Sequence, residues 1–134
     1  MRPVSDFLDT NVLLYAFMEE ERAERAQSLL AQPFAISAQA LNEFANVGRK
    51  KLNMPWADIR EAIDALVALS ATIVPVSEKI TLAGLHLAQR YQLSFYDATM
   101  VAAAIEAGCE RFHSEDLHDG LLVEKQLMIV NPFG

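Results

Sequence analysis

Two hydrophobic periods alternate along this chain. Short apolar runs at Val4 to Leu8, Phe34 to Ile36, Thr72 to Pro75, Arg111 to His113 and Leu127 to Val130 read as five strands. Stretches with helical spacing lie between most of them. Val12 to Phe17 fits a short helix capped by Asp9, Thr10 or Asn11. Glu19 to Leu30 fits an amphipathic helix with Ala23, Ala26, Leu29 and Leu30 on one face. Ser37 suits the N-cap of a helix running to about Leu52; Met54-Pro55 breaks it, and Pro55 is placed to open the next, which ends near Leu69. Ser77 starts another that ends near Tyr91, and Ser94-Phe95-Tyr96-Asp97 opens the last, which continues as "ATMVAAAIEA" and stops at Gly108. Strands alternating with helices predict βα units and a mainly parallel sheet of about five strands, covered on both faces. In such sheets the functional crevice lies beyond the carboxyl ends of the strands.

Length and composition narrow the class. The 134 residues suit a single domain over 1–134, and a hydrophobic fraction of 52% fills its core. No apolar run approaches the ~20 residues of a membrane span. Met1 to Asp6 lacks a signal peptide's basic start and long apolar stretch. Cys109 is the only cysteine, which excludes an internal disulfide and points to a reducing cytoplasm. It follows the helix-ending Gly108 and reads as a small packed residue rather than a nucleophile. The formal net charge of −7 argues against a nucleic-acid binder, unless the carboxylates gather around divalent metal or a partner supplies positive charge.

The acids fall where that crevice should be. Asp9 lies at the carboxyl end of the first strand, and "SEDLHDG", residues 114 to 120, follows the fourth with Glu115, Asp116 and Asp119. Asp97 sits in the first turn of its helix, and Glu43 lies about two turns into the helix after the second strand, flanked by Leu41, Phe44 and Ala45. Each has a structural alternative. Asp9 suits a helix cap, Ser94-x-x-Asp97 resembles a capping box, Glu43 suits a solvated helix edge, and Asp116 and Asp119 suit an ordinary loop. Together, acids at one sheet edge repel at neutral pH, and oxygen ligands suit Mg²⁺ or Mn²⁺. No Gly-rich phosphate loop, zinc spacing or serine-nucleophile elbow competes. His86 reads as structural, and His113 and His118 lie near the acidic loop.

"FLDTNVLLYAF", "ISAQALNEF", "LSFYDATMVAAAIEAGC" and "FHSEDLHDG", in this order, resemble the PIN-domain ribonucleases, and more narrowly the VapC-type toxins of toxin–antitoxin pairs. The resemblance extends from the first strand to the terminal "VNPF". It implies a three-layer α/β/α sandwich and an Mg²⁺- or Mn²⁺-dependent endoribonuclease, with RNA as substrate, a homodimeric state and neutralisation by a small cognate antitoxin. Carried over motif by motif, Asp9, Glu43 and Asp97 are the first three metal-binding acids and Asp116 takes the fourth place. Asp119 is a further acid of a loop in which family members vary. Thr10, Asn11 and Ser114 match polar positions that support the site through hydrogen bonds.

The mechanism this implies is metal-assisted hydrolysis of an RNA phosphodiester, with Asp9, Asp97 and Asp116 holding one Mg²⁺. Glu43 completes the shell, orients its water or helps a second ion. Arg49-Lys50-Lys51 is the densest basic run, and it reads equally as a guide for the RNA backbone or as favourable charge at a helix C-terminus. Two other classes share some of these features. A haloacid-dehalogenase-like phosphatase also starts with an Asp after its first strand, but needs a second Asp where this chain has Asn11. A non-catalytic interaction module would explain the apolar helices and leave the acids without a purpose.

Overall fold

The computed structural model describes residues 4–134; the signal-peptide reading of the first residues, Met1 to Pro3, lies outside them. The elements run β1 (Asp6–Leu8), α1 (Thr10–Ala16), α2 (Ala23–Leu30), β2 (Phe34–Ser37), α3 (Ala38–Lys50), α4 (Trp56–Leu69), β3 (Thr72–Val74), α5 (Glu78–Tyr91), α6 (Phe95–Glu106), β4 (Arg111–His113), β5 (Leu122–Val123) and β6 (Leu127–Val130). Among the described residues the sheet has six strands, in the order β3-β2-β1-β4-β6-β5. All neighbours are parallel except β5 and β6.

Both faces of the sheet are covered. Neighbouring strand residues point to opposite faces, yet Phe7 and Leu8 are both fully buried, as are Phe34, Ala35 and Ile36. Phe7 and Phe112 pair in register on β1 and β4 and stack with ring centroids 5.4 Å apart. On α6, every residue from Ala98 to Ala104 is buried. Its alanines explain how a helix hidden on all sides fits: they leave room for close approach to α5. Gly84 of α5 lies so near that a Cβ there would meet Thr99 Cγ2 at 2.6 Å.

Local sequence sets most boundaries. Ser37 and Ser77 cap α3 and α5, accepting from the backbone N–H of Gln39 and Ile80. Gly108, with φ +76°, ends the turn after α6, where side-chain-bearing residues are strained. Three expectations change. The first strand begins at Asp6, not Val4, because the Ser5 carbonyl accepts from both Glu110 and Arg111 N–H and closes the ladder there. The second helix begins at Ala23, not Glu19, because the Glu20 carboxylate turns back onto the Arg22 N–H and guanidinium. A sixth strand, β5, pairs antiparallel with β6 through a turn in which Glu124 and Lys125 have positive φ.

Strand order reverses beside β1: β2 and β3 step to one side, and β4 starts the other. The edge beyond β1 and β4 is therefore the switch point at which open parallel sheets form their crevice.

Candidate active site

Asp9 leaves β1 at that switch point. Its backbone N–H still belongs to the sheet, donating to the His113 carbonyl over 3.0 Å. Its carbonyl begins α1, accepting from Val12 and Leu13 N–H. It occupies the N-cap position of α1, but its carboxylate is not an ordinary cap. A capping oxygen usually takes the second or third N–H of the helix; here Oδ1 accepts from the first, Thr10 N, at 2.8 Å. Oδ2 accepts from the Ser114 hydroxyl over 2.7 Å. Asp9 is only 8% exposed, and Ser114 is fully buried.

Among the described residues, no cationic side chain forms an ion pair with this carboxylate. Burial pushes its pKa up, the hydrogen bonds from Ser114 and Thr10 pull it down, and the negative charges of Asp97 and Glu43 raise it further; the outcome is about 6. The same balance places Asp97 and Glu43 within electrostatic reach of Asp9.

Each of the other acids rests on a neutral or local partner. Glu43, one face of α3 turned toward α1, accepts at Oε2 from the Thr10 hydroxyl over 2.7 Å. Asp97 accepts from the Ser94 hydroxyl over 2.8 Å. The expected capping box is absent: Ser94 occupies the N-cap position of α6 but makes no side-chain capping bond. Asp116 accepts at Oδ2 from the Asn11 amide over 3.0 Å, and its N–H donates to the Ser114 hydroxyl over 3.2 Å. Ser114 thus links Asp9 to Asp116. The Asn11 side-chain oxygen, Oδ1, is buried and has no hydrogen-bond partner among the described residues. Turning the amide over would place that oxygen against the Asp116 carboxylate, so the orientation is fixed by charge.

The loop acids divide their work. Glu115 faces away from this cluster, held below the usual carboxylate range by the Tyr15 hydroxyl and the Arg22 guanidinium. Asp119 accepts at Oδ1 from Asn131 N–H over 2.8 Å and so ties the loop to the segment after β6. His113 is buried and turned to Asp6, with Nε2 2.9 Å from Oδ1, and His118 is exposed. His86 is exposed on α5, 3.0 Å from Glu124. Cys109 is buried in the core, and burial pushes its thiol up to about 11. At the end of α3, Arg49 lies over the Trp56 ring, 5.2 Å from its centroid, and donates to the Met54 carbonyl, while Lys50 and Lys51 are exposed.

An all-oxygen set beside a buried amide oxygen with no hydrogen-bond partner and a buried carboxylate with no cation partner, among the described residues, fits a hard divalent cation. Among the described residues, no three His, Cys, Asp or Glu side chains already stand in a ligating arrangement. The acids are instead held by separate neutral partners, Glu43 by the Thr10 hydroxyl, Asp97 by Ser94 and Asp116 by Asn11. Sequence reasoning did not single out Arg22, Tyr15 or Gln39. Gln39 stands one turn before Glu43 and accepts from the Thr99 hydroxyl of α6 over 2.8 Å, joining the two helices that carry Glu43 and Asp97. Only the "ISAQALNEF" motif could have flagged it.

A toxin–antitoxin complex from Klebsiella pneumoniae contains a chain 27% identical, with TM-score 0.72, covering 96% of this chain and 98% of that one. VapC20 of Mycobacterium tuberculosis, a sarcin-ricin loop cleaving toxin, is 19% identical with TM-score 0.63, covering 81% of this chain and 87% of that one. VapBC2 of Rickettsia felis, solved bound to a DNA fragment from its promoter, is 18% identical with TM-score 0.61, covering 92% and 96%. The last two likenesses establish the fold alone. No curated protein sequence matches the chain. The PIN domain sequence model matches residues 7–118, which contain Asp9, Glu43, Asp97 and Asp116, and the chain belongs to the PIN domain family.

Proposed function

We propose that this chain is a VapC-type toxin, a metal-dependent endoribonuclease that hydrolyses RNA phosphodiester bonds and is neutralised by a cognate antitoxin. The observation that carries the reading is Asp9: a buried carboxylate at the switch point of a PIN fold, its pKa raised to about 6, with Glu43 and Asp97 adding negative charge and no cation among the described residues to offset them. The Klebsiella pneumoniae toxin–antitoxin complex, matched along nearly both whole chains, supports the toxin class and the antitoxin partner. The phosphatase alternative loses ground to the family match, and Asn11 serves as an amide donor to Asp116.

Asp9, Asp97 and Asp116 would hold the ion, with Glu43 completing the shell or orienting water. Bound Mg²⁺ or Mn²⁺ supplies Lewis acidity at a phosphoryl oxygen and a water of lowered pKa. Ser114 and Thr10 fix the two oxygens of Asp9, and Thr10 also holds Glu43, so one residue orients two acids. Asp119 has one oxygen committed to Asn131 and is at most a peripheral ligand. The exposed Lys50 and Lys51 are free to meet the RNA backbone, whereas Arg49 is engaged with Trp56.

Residues 1–134 act here as one PIN domain, and the active form is a homodimer. Val76, just before α5, and Leu82 and Leu85 on it are 61%, 59% and 54% exposed, apolar surface that a second copy would cover. The site is cytoplasmic in this reading; no helix among the described residues is long and apolar enough to cross a membrane.

The test is RNA cleavage by purified protein with Mn²⁺, with EDTA, and in Asp9→Asn. Cleavage that needs the metal and stops in the variant is expected. Undiminished cleavage in EDTA, or in Asp9→Asn, would overturn the reading. Sedimentation at micromolar concentration should show more than the 14.9 kDa species.

A further inference from the structure

We infer that Arg22 is a positioning residue for the acid cluster, acting through Glu115 to hold Ser114 and Asp116 in place. This rests on the reading above that the cluster holds a divalent cation.

Arg22 lies outside the cluster, in the turn before α2. One of its amino groups, Nη1, donates to both oxygens of Glu115, over 2.9 and 2.7 Å. Nε and Nη2 take Glu20, at 3.0 and 2.8 Å. The guanidinium lies over the Tyr15 ring, 4.1 Å from its centroid, and the Tyr15 hydroxyl donates to Glu115 Oε1 over 2.6 Å. Arginine's planar fork meets two carboxylates and a ring face at once, which a lysine ammonium does not reproduce.

Asn11 and Tyr15 are four residues apart on α1 and so share a face. Asn11 donates to Asp116 and Tyr15 donates to Glu115. The loop therefore lies across one turn of α1, with two successive acids pinned in opposite senses. Glu115 spends its charge on Arg22. Asp116, held by a neutral amide, keeps its own. Arg22 thereby selects which acid of the loop faces the cluster, and fixing Glu115 fixes its neighbours Ser114 and Asp116. The ion pairs are partly exposed, with Arg22 at 34% and Glu115 at 26% of side-chain surface accessible, so their contribution to stability is small. Their effect is on placement.

The experiment compares wild type, Arg22→Gln, Glu115→Gln, the double variant and Arg22→Lys. Three readouts are used: the Mn²⁺ midpoint of thermal stabilisation without RNA, amide exchange of residues 114–119, and RNA cleavage. Each single variant should raise the Mn²⁺ midpoint roughly tenfold, as loss of an outer-shell partner does. The double should be no worse than the worse single, since either change cuts the same tie. Arg22→Lys should recover only part, and cleavage at saturating Mn²⁺ should fall far less than at low Mn²⁺. Opposite shifts in the two single variants would mean that charge alone matters and overturn the proposal. So would faster loop exchange with an unchanged Mn²⁺ midpoint, which marks a purely structural tie. A wild type indifferent to Mn²⁺ overturns the metal reading and the positioning role with it.

Discussion

The Ser114 hydroxyl donates to Asp9 across the junction of β1 and β4, over 2.7 Å, with both residues buried. A neutral donor thus faces a carboxylate that has no cation partner among the described residues. The arrangement holds the acid's direction without neutralising it.

The pH dependence of the metal-free protein should expose this charge. Asp9 has a folded pKa raised from 3.8 to about 6. Between those values the folded protein binds more protons than the unfolded one, so the Asp9 contribution to stability is full below about pH 4 and is lost as pH rises through 6. Asp9→Asn removes that loss. Metal-free melts at several pH values should show the variant gaining on the wild type between about pH 4 and 6, most steeply midway between those values, and levelling off above 6. A constant difference across that range would show that Asp9 ionises normally. Asn also keeps an oxygen for the Thr10 N–H, so the fold should survive while RNA cleavage stops.

Thr10 orients two acids, through its N–H to Asp9 and its hydroxyl to Glu43. Thr10→Val keeps the shape and the N–H and deletes only the hydroxyl. Hydrogen bonds to charged groups contribute roughly 1.5–3 kcal/mol, so cleavage should fall on the order of tenfold or more. Thr10→Ser should retain most activity. Equal losses in both variants would trace the effect to packing.

Metal should stabilise the fold by binding the native state alone. Melting temperature should rise with Mn²⁺ in the wild type and much less in Asp97→Asn, whose charge is one of those acting on Asp9. Equal rises in the two proteins would place the ion elsewhere.

What the sequence disclosed was local. Asp9 stood out because a strand ended in an acid, and Ser37 and Ser77 because serines preceded helical periodicity; Ser37 takes the N-cap position read for it, Ser77 caps the helix it was read to start, and of the three candidate caps Asp9, Thr10 and Asn11 the position falls to Asp9. The parallel sheet followed from alternating periods. Relationships across the chain stayed hidden. Arg22 and Glu115 are 93 residues apart, and nothing in either neighbourhood announces the pair. β5 is two residues long and turns through Glu124-Lys125, without the Asn or Gly that usually marks such a hairpin. Ser94-x-x-Asp97 matched a capping box by spacing, but the hydroxyl donates to the acid's side chain instead. Spacing along the chain does not determine which of two available partners a hydroxyl chooses.

The contact of Gly84 with Thr99 allows a test of how the helices set the spacing of the acids. Gly→Ala in a helix interior ordinarily stabilises by about 1 kcal/mol. Here the new Cβ would lie 2.6 Å from Thr99 Cγ2, 3.2 Å from its Cα and 3.3 Å from its N. The methyl cannot turn aside freely, because the Thr99 hydroxyl is bonded to Gln39 Oε1 and the Tyr96 carbonyl, both at 2.8 Å. Either those bonds break or α5 and α6 separate. Overpacking of this kind costs about 1–3 kcal/mol, so Gly84→Ala should destabilise despite its helix propensity. It should also lower cleavage, since Thr99 is two residues from Asp97 and Gln39 is one turn from Glu43. Adding Thr99→Ser removes the clashing methyl and keeps the hydroxyl. The backbone contacts at 3.2 and 3.3 Å remain, so the double variant should recover stability and cleavage in part. Recovery of stability without any recovery of cleavage would show that the α5–α6 contact does not set the position of Asp97.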